Sequence, residues 1–276
     1  MIEMVKAVIS DLDGTILPCG GEISKEALHA FGMLGERKIV RVIATGRTLF
    51  AARKFLPDDF PIDFLVFSSG AGIMRWKDKK IILARHLSIP ETRQIAAYLW
   101  EYNLNFMIQQ EIPDNHYFYY TDIYPAHSDY KRRIEKFGDF GCLIACPEEI
   151  RTAATQFVMI LNSQQLPLVE KVKNDLPHYS VIRSTSPSDR CSVWLEVYSR
   201  NVNKGTACRM LLEQLSIQPA ECGGLGNDYN DVDFLDICGK AFLVANAPHR
   251  LMSYYKSVSA DTENGFVEFV EQVCKS

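Results

Sequence analysis

The first and last parts of the chain alternate short apolar runs with segments of helical spacing. Residues 5–9 (VKAVI) and 39–44 (IVRVIA) have the length and the β-branched content of buried strands. A helical run begins at Lys204 and carries apolar side chains as far as Leu215, and a short strand follows at residues 223–226. This pattern is typical of an open α/β sheet with buried parallel strands.

The middle of the chain has a different pattern, which is typical of an α+β module. Ser88 is positioned to N-cap a helix that starts at Pro90. Further helices are predicted at residues 128–137 and 166–176, and strands at residues 105–108, 116–120, 156–161, 179–183 and 193–197. The change of pattern predicts that this segment is an inserted domain.

Two carboxylates stand at the end of the first predicted strand. Asp11 and Asp13 lie two residues apart, and Gly14 permits a sharp turn after them. Open α/β sheets bind ligands at the carboxyl ends of their strands, and backbone N–H groups near Leu12 and Asp13 can point at an anion there. We therefore expect a phosphate group at this turn, although an ordinary Asp/Gly turn after a strand has the same letters.

The second predicted strand ends in residues of related chemistry. Thr45 can donate its hydroxyl to a phosphoryl oxygen, and Gly46 lets the backbone approach closely. Arg47 can clamp an anion or cap the next helix. Taken alone, a strand that runs into an N-capped helix explains the same residues.

The last part of the chain adds a lysine and a polar loop. Lys204 stands at a helix start, where anions are favoured, so it indicates either a carboxylate cluster or an anion opposite, or a solvated surface lysine. The loop at residues 226–231 (GNDYND) offers hard oxygen ligands at the end of a strand. Such ligands suit Mg²⁺, and an Asn/Asp-rich turn is the alternative.

These segments, in this order, resemble the haloacid dehalogenase superfamily of phosphotransferases, and within it the Cof-like subfamily IIB phosphatases. The similarity extends to residues 243–247 (LVANA) and 264–267 (NGFV). The resemblance implies an α/β fold, with a Rossmann-like, doubly wound parallel sheet as the catalytic core. It assigns residues 1–83 and 197–276 to this core, and residues 84–196 to a C2-type α+β cap that leaves and returns near the active-site mouth.

The same resemblance assigns roles to individual residues. It makes Asp11 the nucleophile, Asp13 the general acid and base, and Lys204 the group that neutralises charge. The phosphate- and substrate-binding candidates are Leu12, Thr45, Gly46, Arg47, Lys204 and Asn230. The candidate Mg²⁺ ligands are Asp11, Asp13, Asn227, Asp228 and Asp231.

The chain departs from the family pattern at two positions. Asn227 stands where the family usually has a ligating Asp, so the metal site loses a charge, unless the adjacent Asp228 compensates. Ser69 stands where the family commonly has Asn.

The residues themselves indicate how such a site would work. Attack by the Asp11 carboxylate on a phosphate dianion brings two negative charges together, and Mg²⁺ and Lys204 would remove that repulsion. An aspartyl-phosphate would form, with Asp13 protonating the leaving oxygen and later deprotonating water. We expect a Mg²⁺-dependent phosphatase of small phosphorylated metabolites such as sugar phosphates. A phosphomutase is the first alternative, and Asn227 motivates a second, a phospho-ligand-binding module with weakened catalysis.

Composition excludes several other classes of protein. The chain of 276 residues is long enough for two cores, and 47% of its residues are hydrophobic. A net charge of −4 gives no basic footprint for nucleic acid, and no apolar run is long enough to span a membrane. The first residues lead into the predicted strand without the pattern of a signal peptide, and the 8 cysteines are scattered like reduced thiols. We expect a cytoplasmic monomer or weak homo-oligomer whose partner is a small-molecule phosphorylated substrate.

Overall fold

The computed structural model of the chain describes residues 5–123, 126–186 and 192–275. The strands are β1 (Ala7–Ser10), β2 (Val40–Ala44), β3 (Phe64–Phe67), β4 (Gly72–Arg75), β5 (Lys80–Ala84), β6 (Phe106–Gln110), β7 (Phe118–Tyr120), β8 (Gly141–Leu143), β9 (Ala154–Leu161), β10 (Ser180–Thr185), β11 (Val193–Tyr198), β12 (Cys222–Gly226), β13 (Lys240–Val244) and β14 (Lys256–Val258). The helices are α1 (Lys25–Glu36), α2 (Leu49–Ala52), α3 (Ile89–Glu101), α4 (Ser128–Phe137), α5 (Pro167–Asp175), α6 (Lys204–Gln214), α7 (Val232–Leu235) and α8 (Gly265–Cys274).

The chain divides into two compact units. The first comprises Met1–Arg47, Ala51–Leu83 and Asn203–Ser276, and the second comprises Thr48–Phe50 and Ala84–Val202. The chain returns to the first unit at Asn203, later than the predicted boundary at residue 197. The reason is that β11 runs to Tyr198 and is paired with β9 and β10 in the sheet of the second unit.

The sheet of the first unit has the order β14-β13-β12-β1-β2-β3-β4-β5. From β14 to β3 each neighbouring pair is parallel, and β4 runs antiparallel to β3. A Cβ on Gly223 would meet Val273 of α8, whereas a Cβ on the next residue, Gly224, would meet Leu235 of α7. Because successive strand residues face opposite sides of a sheet, helices cover both faces, and the doubly wound α/β fold is confirmed.

The parallel strands end together at one edge of this sheet. Strand β1 pairs with β2 on one side and with β12 on the other, so Ser10 lies between Ile43 and Leu225. Carboxyl ends of parallel strands point the same way, and the residues that follow β1, β2 and β12 therefore meet at this edge.

The second unit is built on a sheet with the order β10-β11-β9-β6-β7-β8. Helices α3 and α5 pack on one face of it through residues such as Ile95 and Val172. Helix α4 covers part of the other face, where Tyr130 packs on Val158. The predicted helix at residues 128–137 is confirmed at both ends, and Ser88 caps α3 as predicted, through a capping box with Glu91. Strand β8 was not predicted, because its three residues (GCL) lack the aromatic and β-branched side chains that mark a strand such as β7.

The structure bears on two features that the composition indicated, the lack of a membrane span and the reduced cysteines. Within the described ranges, no helix is long and apolar enough to cross a membrane. The thiols of Cys142, Cys146, Cys208, Cys222, Cys238 and Cys274 are free, in line with the predicted reduced cysteines. Cys191 lies outside the described residues.

Candidate active site

Lys204 is buried between two carboxylates at the carboxyl edge of the first sheet. Its Nζ lies 2.6 Å from Oδ1 of Asp11 and 2.7 Å from Oδ1 of Asp231, and its exposed fraction is 1%. Burial opposes the charge of the ammonium group, but the two carboxylates outweigh it and raise the pKa of Lys204 above its ordinary value. The carboxylate cluster predicted opposite this helix start is confirmed, and a solvated surface lysine is excluded.

Helix α6 holds Lys204 in this position from its first turn. Asn203 is the N-cap, and its Oδ1 accepts a hydrogen bond of 2.6 Å from the backbone N–H of Thr206. An Asn N-cap fixes where a helix begins, and it satisfies one of the unpaired N–H groups there. The cap therefore directs the Lys204 side chain from the first turn of the helix toward the carboxylates.

Asp11 follows β1 and is almost fully buried. Its Oδ1 accepts from Lys204, and its Oδ2 accepts a hydrogen bond of 3.1 Å from the hydroxyl of Thr15. Burial, together with the carboxylates of Asp231 and Asp13, raises the pKa of Asp11 to about 7, although Lys204 opposes the shift. The contacts at this site join three carboxylates, those of Asp11, Asp13 and Asp231, to two cationic side chains, Lys204 and Arg47, so negative charge is in excess and a cation would be stabilised there.

The side chain of Asp13 is held by the guanidinium group of Arg47. The guanidinium binds both carboxylate oxygens, with Nε 2.7 Å from Oδ2. Of the two interpretations of Arg47 drawn from the sequence, anion clamp or helix cap, the contacts resemble the first, but the anion is a side chain of the same protein. Such a bidentate pair fixes the plane of the carboxylate.

The turn after Asp13 is contacted by residues that follow β12 and β13. Gly14 has a φ of +73°, and a Cβ on it would lie 2.5 Å from Nδ2 of Asn227, so glycine is required there. Asn227 Nδ2 donates to the carbonyl of Asp13 at 2.9 Å, and Asn246 Nδ2 donates to the carbonyl of Gly14 at 2.8 Å. Within the described chain, the backbone N–H groups of Leu12 and Asp13 donate to no protein acceptor.

Thr45 lies fully buried at the end of β2. Its Oγ1 accepts from the N–H of Arg47 at 3.1 Å, and its carbonyl accepts from the N–H of Ser69 at 3.0 Å. Ser68 and Ser69 have φ values of 48° and 52°, in the left-handed region that non-glycine residues seldom adopt. Such backbone strain is tolerated where surrounding structure enforces it, and it is frequent at functional sites.

The loop after β12 is organised around Asp231. Its Oδ1 accepts from Lys204, while its Oδ2 accepts from the backbone N–H groups of Asn227 at 2.8 Å and Asp228 at 3.0 Å. These contacts use both oxygens of a carboxylate that is 0% exposed. They favour a residue that orients Lys204 and the loop over the direct metal ligand that was predicted. Asn230 is half-buried in the same turn and makes no hydrogen bond to these side chains within the described residues.

A different set of oxygens is available to a metal ion. Among the described residues, no three His, Cys, Asp or Glu side chains are grouped to hold one. The carboxylate of Asp11, the carbonyl of Asp13, and the side chains of Asn227 and Asp228 are instead brought to one edge by the parallel pairing of β1 with β12. Mg²⁺ needs only one or two carboxylates beside neutral oxygens and water, so this donor set fits Mg²⁺.

Two residues of the site were missed in the sequence. The Thr15 hydroxyl donates a hydrogen bond to the Asp11 carboxylate. Thr15 stands four residues after Asp11, so its closeness in sequence indicated that it could reach that side chain. Asn246 lies after β13, and its Oδ1 also accepts from the N–H of Asp261 at 2.9 Å, so it links two loops. Only the order of the strands in the sheet reveals the position of Asn246.

Comparisons with known proteins agree with this architecture. The chain is 22% identical over 297 residues to a 5-amino-6-(5-phospho-D-ribitylamino)uracil phosphatase of Bacillus subtilis, which covers 98% of both chains. It is similar to the solved structure of a phosphatase of the haloalkanoate superfamily from Bacteroides thetaiotaomicron, with a TM-score of 0.81, 17% identity, and coverage of 99% of this chain and 96% of the other. A sugar phosphatase of subclass IIB has a TM-score of 0.76, 16% identity, and coverage of 97% and 98%.

The family model of the haloacid dehalogenase-like hydrolases matches residues 8–270, a span that covers the second unit and most of the first. The resemblance drawn from the sequence is thereby confirmed, and the chain belongs to the haloacid dehalogenase-like hydrolase family.

Proposed function

We propose that the chain is a Mg²⁺-dependent phosphatase that hydrolyses small phosphorylated metabolites through an aspartyl-phosphate on Asp11. The observation that carries this proposal is the buried Asp11 carboxylate, fixed by Lys204 and Thr15 beside backbone N–H groups that have no acceptor among the described residues. A carboxylate held in this way is oriented for attack, and the neighbouring donors suit a phosphoryl group.

The phosphoryl group would be bound by donors from two strand ends. The N–H groups of Leu12 and Asp13 are available to its oxygens. The Oγ1 of Thr45 already accepts from Arg47, so its hydroxyl hydrogen is directed elsewhere and can be donated to the ligand. Lys204 supplies positive charge next to the attacking oxygen, which reduces the repulsion between carboxylate and phosphate.

The reaction would proceed in two displacements. An Asp11 oxygen forms a bond to phosphorus, the ester bond breaks, and Asp13 gives its proton to the leaving oxygen. Water then attacks the phosphorus while Asp13 accepts its proton, and the bond to Asp11 breaks to release inorganic phosphate. Arg47 orients the ionised Asp13 carboxylate, and one of its two contacts gives way when Asp13 carries the proton.

Mg²⁺ would be held by Asp11, the carbonyl of Asp13, and Asn227 or Asp228. When bound, it would supply positive charge that stabilises the transferring phosphoryl group. The raised pKa of Asp11, which burial causes first, supports this assignment in part, because the carboxylates of Asp231 and Asp13 add to the shift and a cation would offset their charge.

The second unit would act as a cap that selects the substrate. It ends at Val202, and Lys204 follows two residues later, so its connection to the first unit runs directly into the site. The names of two relatives, a ribitylamino-uracil phosphatase and a sugar phosphatase, support a substrate class of phosphorylated sugars or polyols.

The decisive experiment follows the phosphoryl group in the full chain. Asp11→Asn should abolish release of inorganic phosphate from p-nitrophenyl phosphate, by about a thousandfold or more, while the protein stays folded. Asp13→Asn should slow turnover and accumulate a phospho-enzyme that mass spectrometry detects. Asp58→Asn, an exposed carboxylate paired with Arg53, is the matched control.

The same assay separates the alternatives. A phosphomutase would return the phosphoryl group to a sugar, so a phosphorylated organic product would replace inorganic phosphate. A phospho-ligand-binding module would bind without turnover at saturating Mg²⁺. Normal turnover by Asp11→Asn would contradict the assignment of the nucleophile.

A further inference from the structure

One face of the second sheet changes from apolar to polar across its central strands. Strands β6, β9 and β11 are neighbours, and Gln109, Gln156 and Tyr198 occupy paired positions across them. Glu196 lies on the same face of β11, two residues before Tyr198. We call these side chains, Gln109, Gln156, Glu196 and Tyr198, the polar patch.

The polar patch is buried although its surroundings in the sheet are apolar. Gln156 is 2% exposed, and Gln109 and Glu196 are each 4% exposed. The next position along β9 on this face, Val158, packs in an apolar cluster, and so does Phe157 on the opposite face. Because burial of polar groups costs free energy unless they are hydrogen-bonded, a sheet selected for packing alone would carry apolar side chains here as well.

Hydrogen bonds within the polar patch define its chemistry. Gln156 Nε2 donates to Glu196 Oε1 at 3.3 Å, and the Tyr198 hydroxyl donates to Glu196 Oε2 at 3.0 Å. Both carboxylate oxygens of Glu196 therefore accept a hydrogen bond. The donation by Gln156 also determines which end of its amide is the oxygen.

The amide oxygens of Gln109 and Gln156 accept none of the hydrogen bonds within the polar patch. Each Oε1 is buried and accepts no hydrogen bond from the described part of the chain. More than about nine-tenths of buried polar groups in proteins are hydrogen-bonded, so two unsatisfied oxygens in paired positions call for donors from outside the chain. We infer that the polar patch binds a polyhydroxylated small molecule, whose hydroxyl groups donate to the amide oxygens of Gln109 and Gln156.

Hydroxyl donors match this patch better than an ammonium group does. The oxygens that remain are neutral amides, while the negative charge of Glu196 is already shared by two donors. Side chains in paired antiparallel positions have their Cβ atoms about 5 Å apart, a distance that neighbouring hydroxyls on one carbon chain can bridge. The ligand is either the hydroxylated part of the phosphorylated substrate, in which case the inference rests on the proposed function, or a free polyol.

The test removes the amide oxygens without changing side-chain length. Gln109→Met and Gln156→Met are compared with wild type and with Gln94→Met, the same substitution at an exposed position of α3. Turnover is measured with the phosphate esters of glucose and sorbitol and with p-nitrophenyl phosphate, which has no hydroxyl groups. Saturation-transfer NMR with free sorbitol, and the thermal unfolding midpoint, are recorded for each full-length protein.

For a substrate ligand, both variants should lose about tenfold in kcat/KM for the sugar and polyol esters and keep their kcat/KM for p-nitrophenyl phosphate. For a free polyol, turnover of every ester and the unfolding midpoint stay unchanged, but saturation transfer to sorbitol is lost. Either result supports the inference. Gln94→Met should change none of these quantities.

Other results overturn it. Equal losses for both kinds of ester, with a lowered unfolding midpoint, would show that the amides serve only the fold. Unchanged turnover ratios together with unchanged saturation transfer would show that no hydroxylated ligand binds. If wild type hydrolyses none of the esters, the proposed function fails, and the sorbitol measurement still decides whether the patch binds a polyol.

Discussion

Arg47 binds the carboxylate of Asp13 through both of its oxygens, and its guanidinium carbon also lies 4.3 Å from the centre of the Phe55 ring. The guanidinium is thereby held between a carboxylate and an aromatic face, two of the partners that arginine prefers. The sequence suggested that Arg47 could clamp an anion, and the structure identifies Asp13 as one that it binds. Arg47 is therefore a positioning residue for the proposed acid and base.

Replacing Arg47 by Met should lower kcat more than it raises KM. Loss of the bidentate pair frees Asp13 to rotate, and we expect kcat for p-nitrophenyl phosphate to fall by about 10- to 100-fold. Arg53→Met, which breaks an exposed pair with Asp58, is the matched control and should leave kcat unchanged. A large increase in KM with an unchanged kcat would instead indicate that Arg47 binds the phosphate directly.

A mutation of Asp231 should impair catalysis without weakening the binding of the metal ion. Asp231→Asn weakens the hold on Lys204 but removes no proposed metal ligand, so kcat should fall while the Mg²⁺ concentration for half-maximal activity stays the same. Titration of activity with Mg²⁺ measures both quantities. A strongly increased requirement for Mg²⁺ would show that Asp231 is a metal ligand after all.

The burial of Asp11 predicts how stability depends on pH without metal. Its pKa is raised from 3.8 to about 7, so between these values the folded protein binds more protons than the unfolded chain. The contribution of Asp11 is therefore present at low pH and is lost as the pH rises from about 4 to 7, on the order of a few kcal/mol.

Denaturant unfolding with a chelator, at several pH values, tests this dependence. The fall in the free energy of unfolding over that range should be smaller in Asp11→Asn, which has no carboxylate to ionise. Added Mg²⁺ should also reduce the fall in wild type, because a bound cation stabilises the ionised form. Identical slopes for wild type and Asp11→Asn would contradict the shift.

Asn227→Asp should bind Mg²⁺ more tightly and be less stable without it. The added carboxylate replaces a neutral amide among the proposed metal ligands, so half-maximal activity should need about tenfold less Mg²⁺. In the absence of metal, the substitution loses the 2.9 Å hydrogen bond to the carbonyl of Asp13 and sets a carboxylate against that oxygen. Magnesium titrations and unfolding curves with a chelator measure the two effects.

Asp228→Ala completes this comparison. Asp228→Ala could abolish activation by Mg²⁺ while Asn227→Ala leaves it unchanged. That result would show that the metal ligand of the loop is Asp228, one residue later in the chain, and that Asn227 does not bind the ion. The same loss in Asn227→Ala with a mild effect in Asp228→Ala would support the assignment to Asn227.

Local sequence patterns predicted the parts of the site that lie next to strand ends. Asp11 and Thr45 follow strands that their runs of apolar, β-branched residues predict. The lysine at the start of α6, where cations are disfavoured, indicated a carboxylate cluster opposite it. The family that these motifs suggested is confirmed by the family model, which matches residues 8–270. The prediction of a monomer or weak oligomer stays a prediction.

Contacts that depend on strand order could not be predicted. The role of Asp231 depends on which backbone N–H groups reach it, and that follows from the three-dimensional path of the loop. Gln109 and Glu196 are polar residues in strands, and nothing in the sequence near them marks them as neighbours. The register that joins β6, β9 and β11 brings them together in the polar patch. Register is a long-range property, since it is set by pairing between distant segments.

The central position of β1 has a consequence for synthesis of the chain. One side of β1 can pair with β2 early, but its other partner, β12, is made only when Cys222–Gly226 emerge. Until then one edge of this buried strand stays open, and such edges template aggregation. Fragments that end before residue 222 should therefore associate or engage chaperones, and the nucleophile and its lysine, 193 residues apart, come together only in the last stage of folding.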